Sequence, residues 1–355
     1  MPQKKKLRLA QLAPLWIPVP PTTYGGTELV VHNLTEELVQ RKHRVSLFAA
    51  GDSKTSAELV APISKALWLQ KENKNPHAAM TKMLYMVKQL SDSFDIIHNH
   101  FNFFMLPLGL CNVLPPIVTT IHRPMDEFYS DAIKLFPNTY FCVISQYAKG
   151  LCEEYGVTVS DVIYNGIPVE KYEFNDTPED YFLYLGRVNK EKGIVTALRI
   201  AEETGQKLVI AGNVVGPEEW NYFMKEVQPR LNQGNVKYVG QVDFKEKVEL
   251  MKKAKALIFP VNSREQFGLV MAEAMACGTP VIGFNRYSIP EIVEHEKTGF
   301  VVDTKEDMIE SLKRIPEINR EDCRKRVEEK FTLKEMVDKY EKFYERILYE
   351  KGWGK

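Results

Sequence analysis

From one end of the chain to the other, short apolar runs alternate with stretches whose apolar positions recur three and four residues apart. A bounded apolar run is the mark of a buried strand, and recurrence at three and four is the mark of one helical face. In the first half, strands are predicted at 7–12, 45–49, 96–98, 117–121, 140–144 and 162–164. Val30, Val31, Leu34 and Leu38 predict a helix after the first of them. A break follows at Asn165-Gly166-Ile167-Pro168 and the polar stretch 170–180. The pattern then restarts, with strands predicted at 181–185, 208–211, 236–238, 256–259, 281–284 and 300–302. Ile194, Ala197, Leu198 and Ala201 share one face of a helix between the first two of these, and charged amphipathic helices fill 306–349. Strands alternating with helices predict parallel sheets with crossover helices. Two successive sets of six predict an α/β chain of two doubly wound, Rossmann-like domains, with the boundary near 168 and 169. Ligands of such sheets bind beyond the carboxyl ends of the strands, so a cleft between the two domains is the expected site.

Composition narrows the picture. At 355 residues the chain exceeds what one hydrophobic core normally serves, in keeping with two domains. Forty-seven basic residues balance forty-seven acidic ones, so no overall field favours nucleic acid or an anionic membrane. The cluster Lys4, Lys5, Lys6 and Arg8 reads as a solvated run before the first strand, with membrane contact at most peripheral. Cys111, Cys142, Cys152, Cys277 and Cys323 are scattered without Cys-x-x-Cys spacing, which argues against a disulfide framework or zinc knuckle and for a reducing compartment. Pro14, Pro18, Pro20 and Pro21 interrupt any signal-peptide core, and no segment approaches the roughly 20 apolar residues that span a bilayer. A soluble cytoplasmic protein is expected.

Three loops carry candidate chemistry. The first, Pro260 to Gly268, follows a strand and opens a helix that stops at Gly278, a residue suited to the left-handed position after a helix. Amides near Phe267 to Leu269 would then stand at the positive end of a helix, where a diphosphate fits. Glu265 precedes this helix and Glu273 lies in its second turn; carboxylates there suit hydroxyls rather than phosphate. Ordinary surface glutamates are the competing reading. The second loop, Gly186-Arg187-Val-Asn-Lys190-Glu-Lys192-Gly193, brings two cations to a strand end, and Arg187 and Lys192 suit pyrophosphate oxygens. A solvated turn is the alternative. The third, Tyr24-Gly25-Gly26-Thr27-Glu28, allows close approach of backbone to a ligand but is not a dinucleotide fingerprint, and a tight structural turn competes with it.

In chain order these segments resemble the family 4 retaining glycosyltransferases of the GT-B fold. The likeness runs through Gly25-Gly26, Asp95-Ile-Ile-His98, His122 after Thr119-Thr120, Asn165-Gly166-Ile167, Gly186-Arg187 with Lys192-Gly193, and Ala211-Gly212. It ends with Glu265 and Glu273, spaced as the E-x7-E pair, and Pro290-Glu291-Ile292. The resemblance implies that Arg187 and Lys192 hold the donor diphosphate, that Glu265 contacts the donor sugar and Glu273 the ribose, and that amides of Phe267, Gly268 and Leu269 cap phosphate and sugar. It places Gly25, Gly26, Gly186 and Gln266 among the donor-binding residues, with His122 and Gly26 facing the reacting sugar and acceptor. It also implies that helix 335–355 crosses back onto the N-terminal domain, giving domains 1–168 with 335–355, acceptor side, and 169–334, donor side. A nucleotide-sugar co-substrate with UDP-glucose favoured, an unidentified acceptor, retention of configuration and no metal or other cofactor complete the expectation; the chain has no Asp-x-Asp. The loop 285–290 departs from the family in having no glycine, which puts amide contacts from it in doubt.

A nucleotide-sugar epimerase or a phosphorylase on the same architecture is the alternative enzyme, and a non-catalytic sugar-binding protein the alternative from another class. His98, His100 and His122 lack carboxylate or cysteine partners at ligand-like spacing, which disfavours a metal site. Cys277 reads as a small buried residue, Phe101, Phe103 and Phe104 as core or lid, and Arg286 as a surface arginine.

Overall fold

The computed structural model describes residues 6–22, 25–70, 75–110, 115–231 and 234–352. Lys4 and Lys5 of the basic cluster, Tyr24 of the glycine loop, and Cys111 lie outside the described residues. The chain divides into two compact units, one formed by Ile167–Thr332 and the other by the parts before and after it.

The first unit carries a seven-stranded sheet in the order β3-β2-β1-β4-β5-β6-β7. Its strands are β1 (Arg8–Leu12), β2 (Arg44–Phe48), β3 (Glu58–Val60), β4 (Ile96–Asn99), β5 (Ile117–Ile121), β6 (Tyr140–Val143) and β7 (Asp161–Val162). Every pairing is parallel. The interior strands are apolar because helices cover both faces of such a sheet; Leu9, Ala10 and Leu12 of β1 are inaccessible to solvent. The sequence pattern gave six strands here and missed β3. That strand is three residues long at the sheet edge and only part-buried, so it has neither the length nor the apolar run of its neighbours.

The helix Gly26–Gln40 buries Val30, Val31, Leu34 and Leu38, the face its spacing predicted. The last helix, Leu333–Glu350, also belongs to this unit and buries Tyr340, Phe343, Tyr344 and Ile347. Buried Glu341 anchors it, accepting from Arg41 at 3.0 Å and pairing with His43 at 2.9 Å.

The second unit holds β8 (Phe182–Leu185), β9 (Leu208–Ala211), β10 (Val236–Gly240), β11 (Leu257–Phe259), β12 (Val281–Phe284) and β13 (Gly299–Val302). They form one parallel sheet in the order β10-β9-β8-β11-β12-β13. In each unit the strand order reverses direction beside the first strand, between β1 and β4 and between β8 and β11. The loops leaving those strands diverge to opposite faces and open a crevice at the carboxyl ends. Among the described residues no helix is long and apolar enough to cross a membrane.

Candidate active site

In the second unit, the loop after β8 folds back on Tyr184, whose hydroxyl donates to the carbonyls of Arg187 at 3.0 Å and Lys192 at 3.3 Å. Gly193 closes the loop at φ 73°, and a Cβ there would lie 1.8 Å from the carbonyl oxygen of Pro260. Only glycine permits both that conformation and that approach. The contact presses the loop after β8 against the loop after β11, and the Asn262 N–H donates across to the Glu191 carbonyl at 2.9 Å. Gly212, after β9, approaches Gly186 as closely, with a Cβ position 1.8 Å from its carbonyl oxygen. Three strand ends thus gather at the switch point.

Lys192 and Glu265, seventy-three positions apart, meet there, Nζ to Oε2 at 2.6 Å. Arg187 forms an ion pair with Glu219, Nε to Oε1 at 2.7 Å. Burial opposes the Glu219 charge, yet donors from Asn189, Arg187 and the Val215 amide hold its pKa below the usual carboxylate value. Glu273 is buried; its Oε1 accepts from Lys247 at 2.7 Å and from the Tyr172 hydroxyl at 2.8 Å. Each of these three cations is therefore balanced by a carboxylate, and an incoming anion meets a neutral, pre-positioned set rather than bare charge.

Beside them starts the helix Leu269–Ala276, with Gly268 as its N-cap at φ 80° and no side-chain cap. Its first amides are the positive end of the helix. The Phe267 side chain is buried edge-on to Phe331, centroids 5.6 Å apart, so this residue can offer a ligand its backbone alone. Gln266 is also buried, and its Nε2 donates to the Arg264 carbonyl at 3.0 Å. The glycine-free loop 285–290 acts as a brace: the Ser288 hydroxyl donates to the Glu265 carbonyl at 3.0 Å and the Tyr287 hydroxyl to that of Asn262 at 3.2 Å. Arg286 is exposed, stacked 5.0 Å from the Phe284 ring centroid.

Gly25, Gly26 and His122 belong to the first unit, the glycines at the start of the helix Gly26–Gln40 and His122 directly after β5. A Cβ on Gly25 would stand 2.2 Å from Ile17 Cδ1 and 3.0 Å from Glu28 Oε2, so the turn is closed to any larger residue. His122 Nε2 lies 2.9 Å from Nδ1 of buried His100. His98 is wholly buried, bonded to Tyr344 and Thr120. Phe101 is core, with Phe104 packed against it. Cys142, Cys152, Cys277 and Cys323 are free and buried, and burial pushes each thiol up to about 12.

Spacing along the chain did not mark Glu219, Lys247, Tyr172 or Ser288, because each reaches the site from a different loop or helix. Glu28 does have a sequence signal, as an acid directly after Gly25-Gly26-Thr27. It is buried in the first turn of Gly26–Gln40, and burial raises its carboxyl to about 7. The helix dipole favours the anion there, but desolvation outweighs it. A raised acid keeps its proton in the fold after the unfolded chain has released it. The stability it contributes is complete below about 4.5 and is lost as pH rises through about 7. Glu28→Gln removes that titration. Urea unfolding should show the variant gaining roughly 3 kcal/mol on the wild type between pH 4.5 and 8; parallel pH curves for the two proteins would exclude the assignment.

Residues 170–331 match the sequence profile of the glycosyl transferases group 1, and residues 24–171 that of glycosyltransferase family 4. N-acetyl-α-D-glucosaminyl L-malate synthase of Bacillus anthracis is 30% identical over 386 residues, spanning 93% of this chain and 96% of that protein. Among solved structures, sucrose-phosphate synthase from Thermosynechococcus elongatus is similar with a TM-score of 0.82 at 19% identity, covering 97% of this chain and 100% of that one. Anabaena HepE in complex with UDP-glucose is similar with a TM-score of 0.75 at 16% identity, covering 96% of this chain and 100% of that one.

Proposed function

The chain belongs to the family 4 glycosyltransferases of the GT-B fold, and from that premise we propose that it transfers a hexose from a UDP-sugar to an acceptor hydroxyl, with retention of configuration and without a metal. The observation that carries this reading is the Lys192–Glu265 pair beside the uncapped helix start at Gly268, with Arg187 on the same loop as Lys192 and paired with Glu219. Breaking a sugar–phosphate bond puts positive charge on the anomeric carbon and negative charge on the leaving diphosphate. Donors fixed in place before the reaction stabilise that charge as it develops, which is commonly the largest catalytic contribution. In this reading Lys192, Arg187 and the amides of Gly268 and Leu269 take the diphosphate. Glu265 exchanges part of its bond to Lys192 for sugar hydroxyls, and Glu273, held by Lys247 and Tyr172, accepts from the ribose. With those cations serving the leaving group and no Asp-x-Asp in the chain, no metal is needed. The UDP-glucose held by the Anabaena protein of like fold supports uridine as the nucleoside and glucose as the first sugar to try.

A thermal-shift screen of UDP, GDP, ADP and their glucose conjugates in excess chelator tests the proposal. A ligand at 100 times its dissociation constant adds about 2.7 kcal/mol of stability, so a UDP-sugar should raise the melting temperature by several degrees. A shift with GDP or ADP conjugates alone would move the donor. A shift that requires added magnesium would overturn the metal-free mechanism, and the anomeric coupling constant of the product would decide retention.

A further inference from the structure

The first unit contains a buried chain of hydrogen bonds that the donor site does not use. It runs along the carboxyl ends of β1, β4 and β5, across the switch point of that sheet. His122 Nε2 lies 2.9 Å from His100 Nδ1, and His100 Nε2 lies 2.9 Å from Gln11 Oε1. Gln11 Nε2 donates to the Tyr344 hydroxyl at 3.5 Å, which lies 2.6 Å from His98 Nδ1. His98 Nε2 meets Thr120 Oγ1 at 2.7 Å, and Thr120 closes the chain on Tyr340 at 3.0 Å. Gln11, His98, His100 and Thr120 have no exposed surface, and His122 is half-buried at the outer end.

An amide oxygen accepts and does not donate, so His100 carries its proton on Nε2. Burial holds His98 and His100 well below the ordinary histidine pKa and His122 at about 4, so all three rings are neutral near pH 7. A neutral imidazole has one donor and one acceptor. His100 Nδ1 is then an acceptor, and His122 must donate to it from Nε2. The remaining nitrogen of His122, Nδ1, is left with a lone pair, and among the described residues nothing is bonded to it.

We propose that Gln11 and His100 are positioning residues that fix His122 as its Nε2–H tautomer and so present Nδ1 as an acceptor to a hydroxyl of the reacting sugar or acceptor. The second clause rests on the glycosyltransferase reading above; the tautomer does not. Gln11 is the switch that sets direction. Were its amide turned round, Nε2 would donate to His100, every bond in the chain would reverse, and His122 would carry its proton on Nδ1 and offer a donor instead.

Nitrogen-15 NMR of the full-length protein at pH 7.5, with His122→Gln used to assign the resonance, separates the two directions, since protonated and bare imidazole nitrogens differ widely in shift. The wild type should show Nε2–H at His122, and Gln11→Leu should give a mixture. Gln11→Glu, whose carboxylate can only accept, should restore the single form. With a UDP-sugar as probe, Gln11→Leu should lower kcat by about tenfold, the loss of one hydrogen bond in the transition state. Donor KM should be little changed, and Gln11→Glu should recover most of the rate. An Nδ1–H resonance in the wild type would overturn the relay even if neither variant folds. So would an unchanged tautomer in Gln11→Leu, or a normal kcat once the tautomer is mixed. A wild type that binds no nucleotide sugar would defeat the glycosyltransferase reading while leaving the NMR result to decide the relay.

Discussion

Lys192→Ala is expected to slow sugar transfer by about 10²-fold or more, measured as initial rate at saturating donor. Lys192 stands at the mouth of the second unit's switch point, on a loop whose backbone is fixed from two sides. Its carbonyl accepts from Tyr184, and its amide donates to Asn189 Oδ1 at 3.0 Å. Gly193, next in sequence, abuts Pro260. The ammonium is thus held before any ligand arrives, and little of its effect is spent on ordering the loop. Because the diphosphate is more negative when it leaves than when it is bound to sugar, the lysine favours the transition state over the ground state. The loss should therefore appear mainly in kcat. Arg187→Ala should follow the same direction. There, Glu219 loses one of three donors but keeps Asn189 and the Val215 amide, so the fold should tolerate the change. Near-normal rates in the Lys192 variant would remove it from the site.

Much of this arrangement was legible in the chain, for one physical reason. A parallel strand covered on both faces is mostly apolar, so β5, β9 and β12 coincide with the runs that predicted them. Gly186, Gly193, Gly212 and Gly268 stood out as parts of the loops that resemble the family, and at Gly193 and Gly212 the structure supplies the reason, a backbone carbonyl 1.8 Å from where a Cβ would stand. What was not legible depends on chain segments meeting in space. Lys192 and Glu265 were each singled out, but their direct bond links two loops across the switch point and has no period in sequence. Glu219 and Lys247 come from the helices Gly216–Tyr222 and Phe244–Lys253, which carry none of the loop motifs. β3 failed for the opposite reason, since an edge strand of three residues needs no apolar run. Gln11 left a faint trace as the one polar residue in Leu9-Ala10-Gln11-Leu12, a cue that a buried partner waits for it.

The balanced charges change what is expected of the carboxylates. Glu265→Gln keeps the shape of the side chain and removes the charge that holds Lys192. If the glutamate served only to position the lysine, the variant would lose diphosphate affinity and rate together. If it reads the sugar, as proposed, the two separate. Nucleoside diphosphate should then bind as well as before or more tightly, because the ammonium no longer has to leave a carboxylate 2.6 Å away. Transfer should fall by about 10²-fold or more, since an amide cannot match a carboxylate as acceptor for hydroxyls beside a developing positive centre. Ser288 and Tyr287 brace the backbone at Glu265 and Asn262 through carbonyl oxygens, which the substitution leaves intact, so the loop should keep its course. Calorimetry with UDP, set beside initial rates with the UDP-sugar, makes the comparison. An equal fall in both would assign Glu265 to holding Lys192, and a rate within threefold of wild type would take it out of the reaction.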